Sequence, residues 1–166
     1  RYASRGLGDV YKRQDLTTKV EIFVAHSGPK LSYSNKPLGD EFFVKSHLLL
    51  FEQGITTQKL KLDFWDELPI FFLTNAEGNC PFDIFAASFF LLSRYEECMP
   101  YLKTNLGYFD PSQSISMKFD FLELPIIDLW VSKFQEKLAS NSQQIVKKRN
   151  HKASKKILLE VPLAFR

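Results

Sequence analysis

Three charged side chains, Arg94, Glu96 and Glu97, follow directly after a long apolar stretch, residues 81–93. Paired carboxylates beside an arginine can carry out acid-base chemistry, but ion pairs of this kind also fix the ends of helices. Arg94 and Glu97 are three residues apart, so on a helix they share a face and can form an ion pair. We interpret the three residues first as a structural or interdomain contact, and second as a contribution to an active site.

Other residues that commonly do chemistry are poorly placed for it. The three histidines, His26, His47 and His151, are far apart, and no H-x-x-x-H pattern occurs. A zinc site needs several such ligands at short spacings, so we predict no metal and no other cofactor for this chain. Cys80 and Cys98 lie eighteen residues apart. In a continuous helix that spacing is roughly 27 Å, which predicts two free thiols.

Three aromatic residues are candidates for a sugar-stacking platform: Trp65, Tyr95 and Trp130. Carbohydrate-binding modules commonly present such rings to solvent. Each of the three also fits the apolar stripe of a strand or helix, so a core position is an equally good interpretation.

The charged group is positioned by a predicted helix over residues 82–98. Pro81 suits a helix start, Asp83 can cap the first amides, and Pro100 stops the run. Apolar side chains lie on nearly every side of its first two turns, which predicts a core helix that is covered all round.

A second helix is predicted over residues 125–139. Its apolar stripe consists of Ile126, Ile127, Trp130, Phe134 and Leu138, and it should pack beside the first helix. Lys133 is predicted to face outward. We expect Arg94→Ala to destabilise the domain more than Lys133→Ala, because a buried pair costs more to break than an exposed one.

Residues 19–74 are predicted to form a small sheet. Alternating or continuous apolar patterns indicate strands in residues 19–26, 30–34, 58–65 and 68–74. Residues 41–54 suit a strand followed by a second short strand or a helix turn. In residues 58–65 the pattern places Leu60, Leu62 and Phe64 inward. The change from period 2 to period 3.6 near residue 80 predicts a mixed α/β fold, with α+β as the alternative.

Composition and charge set the class of protein. With 166 residues, 45% of them hydrophobic, the chain is long enough for one core. Much of the net charge of +3 lies in residues 147–156, a run without interleaved aromatic residues that we interpret as a solvated linker rather than a nucleic-acid site. No apolar run is long enough to span a membrane. The absence of a signal-peptide pattern and of glycosylation motifs favours a cytoplasmic protein.

Three segments divide the chain. Residues 1–14 include "RGLGDVYKRQ", which resembles a translated sequencing adapter, so we interpret them as non-native. Residues 15–142 are predicted to form the domain itself, truncated at its start, and residues 143–166 a basic linker or aberrant segment.

Long stretches of the domain resemble a known family. Residues 23–55, residues 81–101 ("PFDIFAASFFLLSRYEECMPY") and residues 116–138 ("SMKFDFLELPIIDLWVSKFQEKL") are similar to an N-terminal domain of uncharacterised function in Bacteroidetes polysaccharide deacetylase family proteins. In those proteins a NodB-type catalytic domain follows. After about residue 142 this chain departs from the pattern, and the family's opening strand and helix are not matched.

The resemblance implies an accessory role. It implies a downstream deacetylase domain as partner in cis, a polysaccharide as possible ligand, and a divalent metal such as zinc in that catalytic domain. The paired aspartates and the H-x-x-x-H of such a domain do not occur in this sequence. Two alternatives remain: Arg94, Glu96 and Glu97 complete the deacetylase active site, or the domain binds carbohydrate itself.

Overall fold

A computed structural model describes residues 17–74, 77–100, 104 and 106–141. The segments 1–14 and 143–166 therefore lie outside the described residues. Across the described ranges, none of the helices combines the length and apolar content needed to cross a bilayer. The helices and strands, in chain order, begin with a helix Val20–Ala25, strands Leu31–Ser34 (β1) and Phe42–Lys45 (β2), and a 3₁₀ turn Leu49–Phe51. They continue with strands Asp63–Trp65 (β3) and Leu68–Ile70 (β4), the central helix Ile84–Leu92 and a short helix Tyr95–Cys98. The last elements are a 3₁₀ turn Pro111–Gln113, a short helix Ile115–Lys118 and the long helix Ile126–Asn141.

The predicted mixed α/β class is confirmed, but the strands form two small sheets rather than one. β1 and β2 pair in parallel, with Leu31 opposite Phe42, and β3 and β4 pair antiparallel. The loop between β1 and β2 is held by Glu41, which is buried and accepts hydrogen bonds from Ser32 Oγ (2.6 Å) and Leu38 N (2.8 Å). Burial acts to raise the pKa of Glu41, but these hydrogen bonds outweigh it and hold the pKa below its usual value.

The second edge of β2 is closed by residues 78–79. Gly78 lies opposite Val44, and its φ of +94° is a conformation that favours glycine. A Cβ at Gly78 would lie 2.8 Å from the carbonyl oxygen of Phe43, so a side chain does not fit there. Asn79 completes the contact, because its side chain accepts from Phe43 N at 2.6 Å.

The strand predicted for residues 19–26 is wrong. Val20–Ala25 is helical, and Val20, Ile22 and Val24 are all about half exposed. β1 is paired with β2 along one edge, and Val20–Ala25 pairs with no strand among the described residues. The segment satisfies its backbone locally instead, starting with the bond from Phe23 N to Lys19 O (3.2 Å).

The strands predicted for residues 58–65 and 68–74 are shorter than expected. Only Asp63–Trp65 and Leu68–Ile70 pair, and Phe64, which we predicted to face inward, is 59% exposed. The second strand stops where Phe72 adopts a positive φ of 58°. The segment beyond it remains buried and bridges at Leu73 to Phe82, at the entry to the central helix.

The central helix starts as predicted, but it is not covered all round. Asp83 caps it, accepting from Phe85 N (3.1 Å) and Ala86 N (3.0 Å). Ile84, Ala86, Ala87 and Phe90 are buried in the main core with Phe71 and Phe72. On the opposite side Phe85, Phe89 and Leu92, at positions i, i+4 and i+7, remain 37%, 43% and 74% exposed.

The long helix agrees closely with the prediction for residues 125–139. Trp130 is completely buried and donates its indole N–H to the carbonyl of Pro69 at 3.0 Å. Phe134 packs edge-on against Phe42 and Phe85, at 5.4 and 6.1 Å between ring centroids. The helix therefore links the main core to the second cluster, around Phe42, Val44 and Cys80.

Candidate functional site

The single helix predicted for residues 82–98 is broken in the middle of the charged group. The central helix ends at Leu92, and Arg94 adopts the left-handed conformation, with φ of 53° and ψ of 41°. The chain then turns into the separate short helix Tyr95–Cys98. Arg94 and Glu97 are brought together across this turn, whereas Glu96 points to a different partner.

Arg94 and Glu97 form the predicted ion pair, but at the surface. The Nε and Nη2 atoms of Arg94 lie 2.6 and 2.5 Å, respectively, from Glu97 Oε1. The side chain of Arg94 is 75% exposed and that of Glu97 is 31% exposed. Solvent therefore screens much of this attraction, and the outer side of the guanidinium remains accessible.

Glu96 holds the following loop in place. Its carboxylate accepts from Ser114 Oγ (2.7 Å) and from the backbone N–H of Ile115 (2.9 Å), at the start of the short helix Ile115–Lys118. Nearby, Asp110 caps the preceding 3₁₀ turn, and the backbone hydrogen bond from Ser112 lowers the pKa of Asp110. Carboxylates thus fix this loop at two places, which gives Glu96 a positioning role.

A tight turn presents Tyr108 beside the ion pair. Thr104 N donates to Tyr108 O and Gly107 N to Thr104 O, both at 2.8 Å, and Gly107 has the positive φ (+83°) that such a turn favours. Tyr108 is 71% exposed. It lines a cavity of about 350 Å³ together with Arg94, Glu97 and Glu96.

This charged cavity combines groups that suit a small polar ligand. Tyr108 offers an aromatic face, while Arg94 can donate and Glu97 can accept hydrogen bonds. Tyr108 is not among the residues that we singled out from the sequence. The sequence signal was Gly107, because glycine favours the positive φ of the turn that precedes Tyr108.

An apolar cavity of about 380 Å³ adjoins the charged one, and Ser116 and Leu122 line both. Its walls come from the end of the central helix, the loop before the long helix and the first turn of the long helix: Leu91, Leu92, Phe121, Leu124, Ile126 and Ile127. Leu92, Leu122 and Leu124 are 74%, 62% and 45% exposed. This cavity can take an apolar side chain but offers few groups for chemistry.

The other end of the central helix contains a buried polar cluster around Asp83. Asp83 is completely buried and also accepts from Tyr33 Oη and from His47 N, both at 2.7 Å. Burial is the main reason that the pKa of Tyr33 is raised, with its hydrogen bond to Asp83 adding to the effect. The His47 imidazole packs against Phe72, and its Nδ1 is buried without a hydrogen-bond partner among the described residues. A catalytic base needs an orienting partner, so this cluster reads as structural.

The candidate sugar platform is largely hidden. Trp130 is completely buried, and Tyr95 is 7% exposed, with its hydroxyl accepting from Thr56 N at 2.8 Å. Trp65 is half-buried, and Lys133 Nζ and Lys137 Nζ lie 5.0 and 5.6 Å from its ring centroid. Neither buried ring presents a face to a sugar, and the face of Trp65 is occupied by two lysines.

The thiols and possible metal ligands are spread out. Cys80 is buried and Cys98 exposed, and neither forms a disulfide. Burial raises the pKa of Cys80 to about 11. Within the described residues, no three His, Cys, Asp or Glu side chains are grouped closely enough to hold a metal ion. A zinc ion does not fit these residues, and we assign no step to one.

Comparison with known proteins identifies one family. A family model described as "Family of unknown function (DUF7033)" matches residues 6–143. No curated protein and no solved structure matches the chain.

Proposed function

We propose that this chain, which belongs to the family of unknown function DUF7033, acts as a non-catalytic accessory domain that packs against a separate catalytic domain. One observation carries this proposal. The central helix is apolar on every side, which is typical of a helix that is buried all round, yet one face of it is uncovered. A second folded domain would cover that face.

The uncovered face belongs to a continuous aromatic surface. Phe51, on the 3₁₀ turn, stacks on Tyr33 at 5.8 Å between centroids, and Tyr33 contacts Phe85 edge-on at 5.0 Å. Phe89 follows Phe85 one turn along the central helix. Phe51, Phe85 and Phe89, which we call the aromatic surface, are 61%, 37% and 43% exposed. Adjoining exposed apolar side chains of this kind commonly mark interaction sites.

We further propose that the partner is a NodB-type deacetylase domain in the same parent protein. The resemblance of residues 23–55, 81–101 and 116–138 to the domain that precedes such enzymes supports this assignment. The divalent metal and the hydrolysis of acetyl groups would belong to the partner domain. The two free thiols support a proposed reducing, cytoplasmic setting.

The test mixes this chain with that deacetylase domain, supplied as a separate polypeptide, and measures binding by calorimetry. We expect a complex that Phe89→Asp abolishes, because a carboxylate would be buried unpaired in the interface. Val131→Asp is the matched control, since Val131 is similarly exposed (40%) and lies on the long helix.

Three outcomes would contradict this proposal. One is a parent reading frame that encodes no catalytic domain, and another is a complex that Phe89→Asp leaves intact. The third is acetyl release from chitooligosaccharide or acetylated xylan by this chain alone with a divalent metal, lost on changing His26 or His47.

A second candidate function is saccharide binding by the charged cavity. The exposed ring of Tyr108 beside Arg94 and Glu97 favours it, because a ring plus paired donors and acceptors suits a sugar and its hydroxyls. These residues would contact the same polysaccharide as the catalytic domain. Titration with chitooligosaccharide tests it: Tyr108→Ala should abolish binding, while Leu106→Ala, at an equally exposed position (82%), should not.

A further inference from the structure

We infer that the apolar cavity between the central and long helices is a docking site for residues 157–159 (Ile-Leu-Leu) of this same chain. This inference goes beyond the accessory role, because the aromatic surface takes no part in it. The apolar cavity shares only Ser116 and Leu122 with the charged cavity. The inference rests on three observations: the chemistry of the cavity, the reach of the chain, and the charge around the cavity.

The cavity is open and almost wholly apolar. Its volume of about 380 Å³ is sufficient for one or two aliphatic side chains, and Leu92, Leu122 and Leu124 leave much of their surface uncovered. Covering aliphatic surface is worth about 25 cal/mol per Å². The strongest aliphatic run beyond the long helix is Ile157, Leu158 and Leu159.

The chain is long enough to return to the cavity. The long helix starts at the cavity with Ile126 and ends at Asn141, which places its end about 22 Å away. Residues 142–156 separate that end from Ile157, and an extended segment of this length spans roughly 50 Å. Because the segment is tethered, its effective concentration at the cavity is in the millimolar range, so a weak contact suffices.

The charge around the cavity matches the segment that must cross it. Asp128 lines the cavity, and Asp120 and Glu123 are exposed on the loop that forms its wall. The connecting residues 147–156 carry six lysines and arginines. Opposite charges of this kind guide a tethered segment to its site and fix its orientation.

The test places a photoreactive benzophenone amino acid at Leu124, which lines the apolar cavity but not the charged one, in the full chain. The monomer is irradiated, and the cross-linked peptide is identified by mass spectrometry. We expect a cross-link within one molecule to the peptide that contains residues 157–159. The yield of this cross-link should fall at high salt. The double substitution Leu158→Asp with Leu159→Asp should reduce the yield to the level seen with the photoreactive group at Val131.

The remaining outcomes separate the alternatives. Cross-links between two copies would overturn the inference and assign the cavity to self-association. Cross-links to other parts of the chain, or an unchanged yield in the double variant, would overturn it as well. Circular dichroism of the double variant shows that the fold is intact, and none of these results depends on whether a deacetylase domain binds the aromatic surface.

Discussion

Each end of the central helix carries a polar group with a carboxylate, and the two groups behave very differently. At the first end Asp83 is completely buried and accepts four hydrogen bonds, from Phe85 N, Ala86 N, Tyr33 Oη and His47 N. At the second end Arg94 and Glu97 pair at the surface, where Arg94 is three-quarters exposed. Both groups adjoin the same apolar helix, so sequence neighbours alone do not determine their roles.

The difference shows what makes a polar group structural. A buried carboxylate must have its lone pairs satisfied, and removing it strands each of its donors in a place that water does not reach. An exposed ion pair competes with water and gains little from its geometry. The first end therefore stabilises the fold, and the second end is free to meet a ligand or a partner.

The largest effect that this comparison predicts is for Asp83→Ala. The substitution removes the helix cap and leaves the Tyr33 hydroxyl and the His47 N–H buried without an acceptor. We expect a loss of about 3 to 5 kcal/mol of unfolding free energy, measured by urea melts.

Asp110→Ala is the matched control. Asp110 also caps a turn through one backbone amide, that of Ser112, but at an exposed position. Its melt should shift only slightly. Comparable shifts for the two variants would show that burial is not what separates them, and the contrast between the helix ends would fail.

The next effect concerns the thiols, which lie near the two ends. Burial raises the pKa of Cys80 from 9.0 to about 11, whereas Cys98 is exposed. At pH 8 only about one Cys80 in a thousand is a thiolate. A disulfide reagent should therefore modify Cys98 quickly and Cys80 only after urea is added. Cys98→Ser should remove the fast phase, and prompt reaction of both thiols in the wild type would contradict the buried placement of Cys80.

The same shift predicts how stability changes in alkali. A raised pKa means that the unfolded chain releases the Cys80 proton at a lower pH than the folded chain does. The contribution of the protonated, buried thiol to the free energy of unfolding is therefore complete below pH 9 and is lost as pH rises toward 11. Cys80→Ala should remove this part of the alkaline decline in urea midpoints, while Cys98→Ser should leave it unchanged.

The sequence predicted the elements whose signals are local and redundant. The long helix was predicted to within two residues, because its stripe ending in Leu138 repeats with one period. Asp83 was identified as a cap from its position after Pro81. By contrast, Val20–Ala25 has the composition of a strand but forms a helix, and it pairs with no strand among the described residues.

The candidate site was less predictable, because it depends on one backbone torsion. Arg94 in the left-handed conformation separates the central helix from the short helix that carries Glu96 and Glu97. No periodicity marks such a break in a sequence without glycine. Tyr108 was missed for a related reason, since it is presented by a turn whose backbone hydrogen bonds join Thr104 to Gly107 and Tyr108.

A smaller effect compares the charged end with the long helix. We expected Arg94→Ala to cost more than Lys133→Ala, but the structure reverses that order. Lys133 is 23% exposed, donates to Trp65 O at 3.1 Å, forms an ion pair with Asp66 and lies over the Trp65 ring. Lys133→Ala should lower the urea midpoint more than Arg94→Ala, which should cost at most about 1 kcal/mol. An equal or larger loss for Arg94→Ala would show that the charged end is structural after all.

The smallest effect isolates the backbone at Arg94. Both Arg94→Ala and Arg94→Gly remove the ion pair with Glu97, so any difference between the two variants reports on the left-handed conformation alone. Glycine adopts a φ of 53° without the Cβ clash, which costs other residues roughly 1 kcal/mol. Arg94→Gly should therefore be more stable than Arg94→Ala by about that amount, less the extra entropy of glycine in the unfolded chain. If Arg94→Ala proves more stable than Arg94→Gly by about 1 kcal/mol in paired urea melts, which is the difference expected inside a continuous helix, the chain does not turn at this residue.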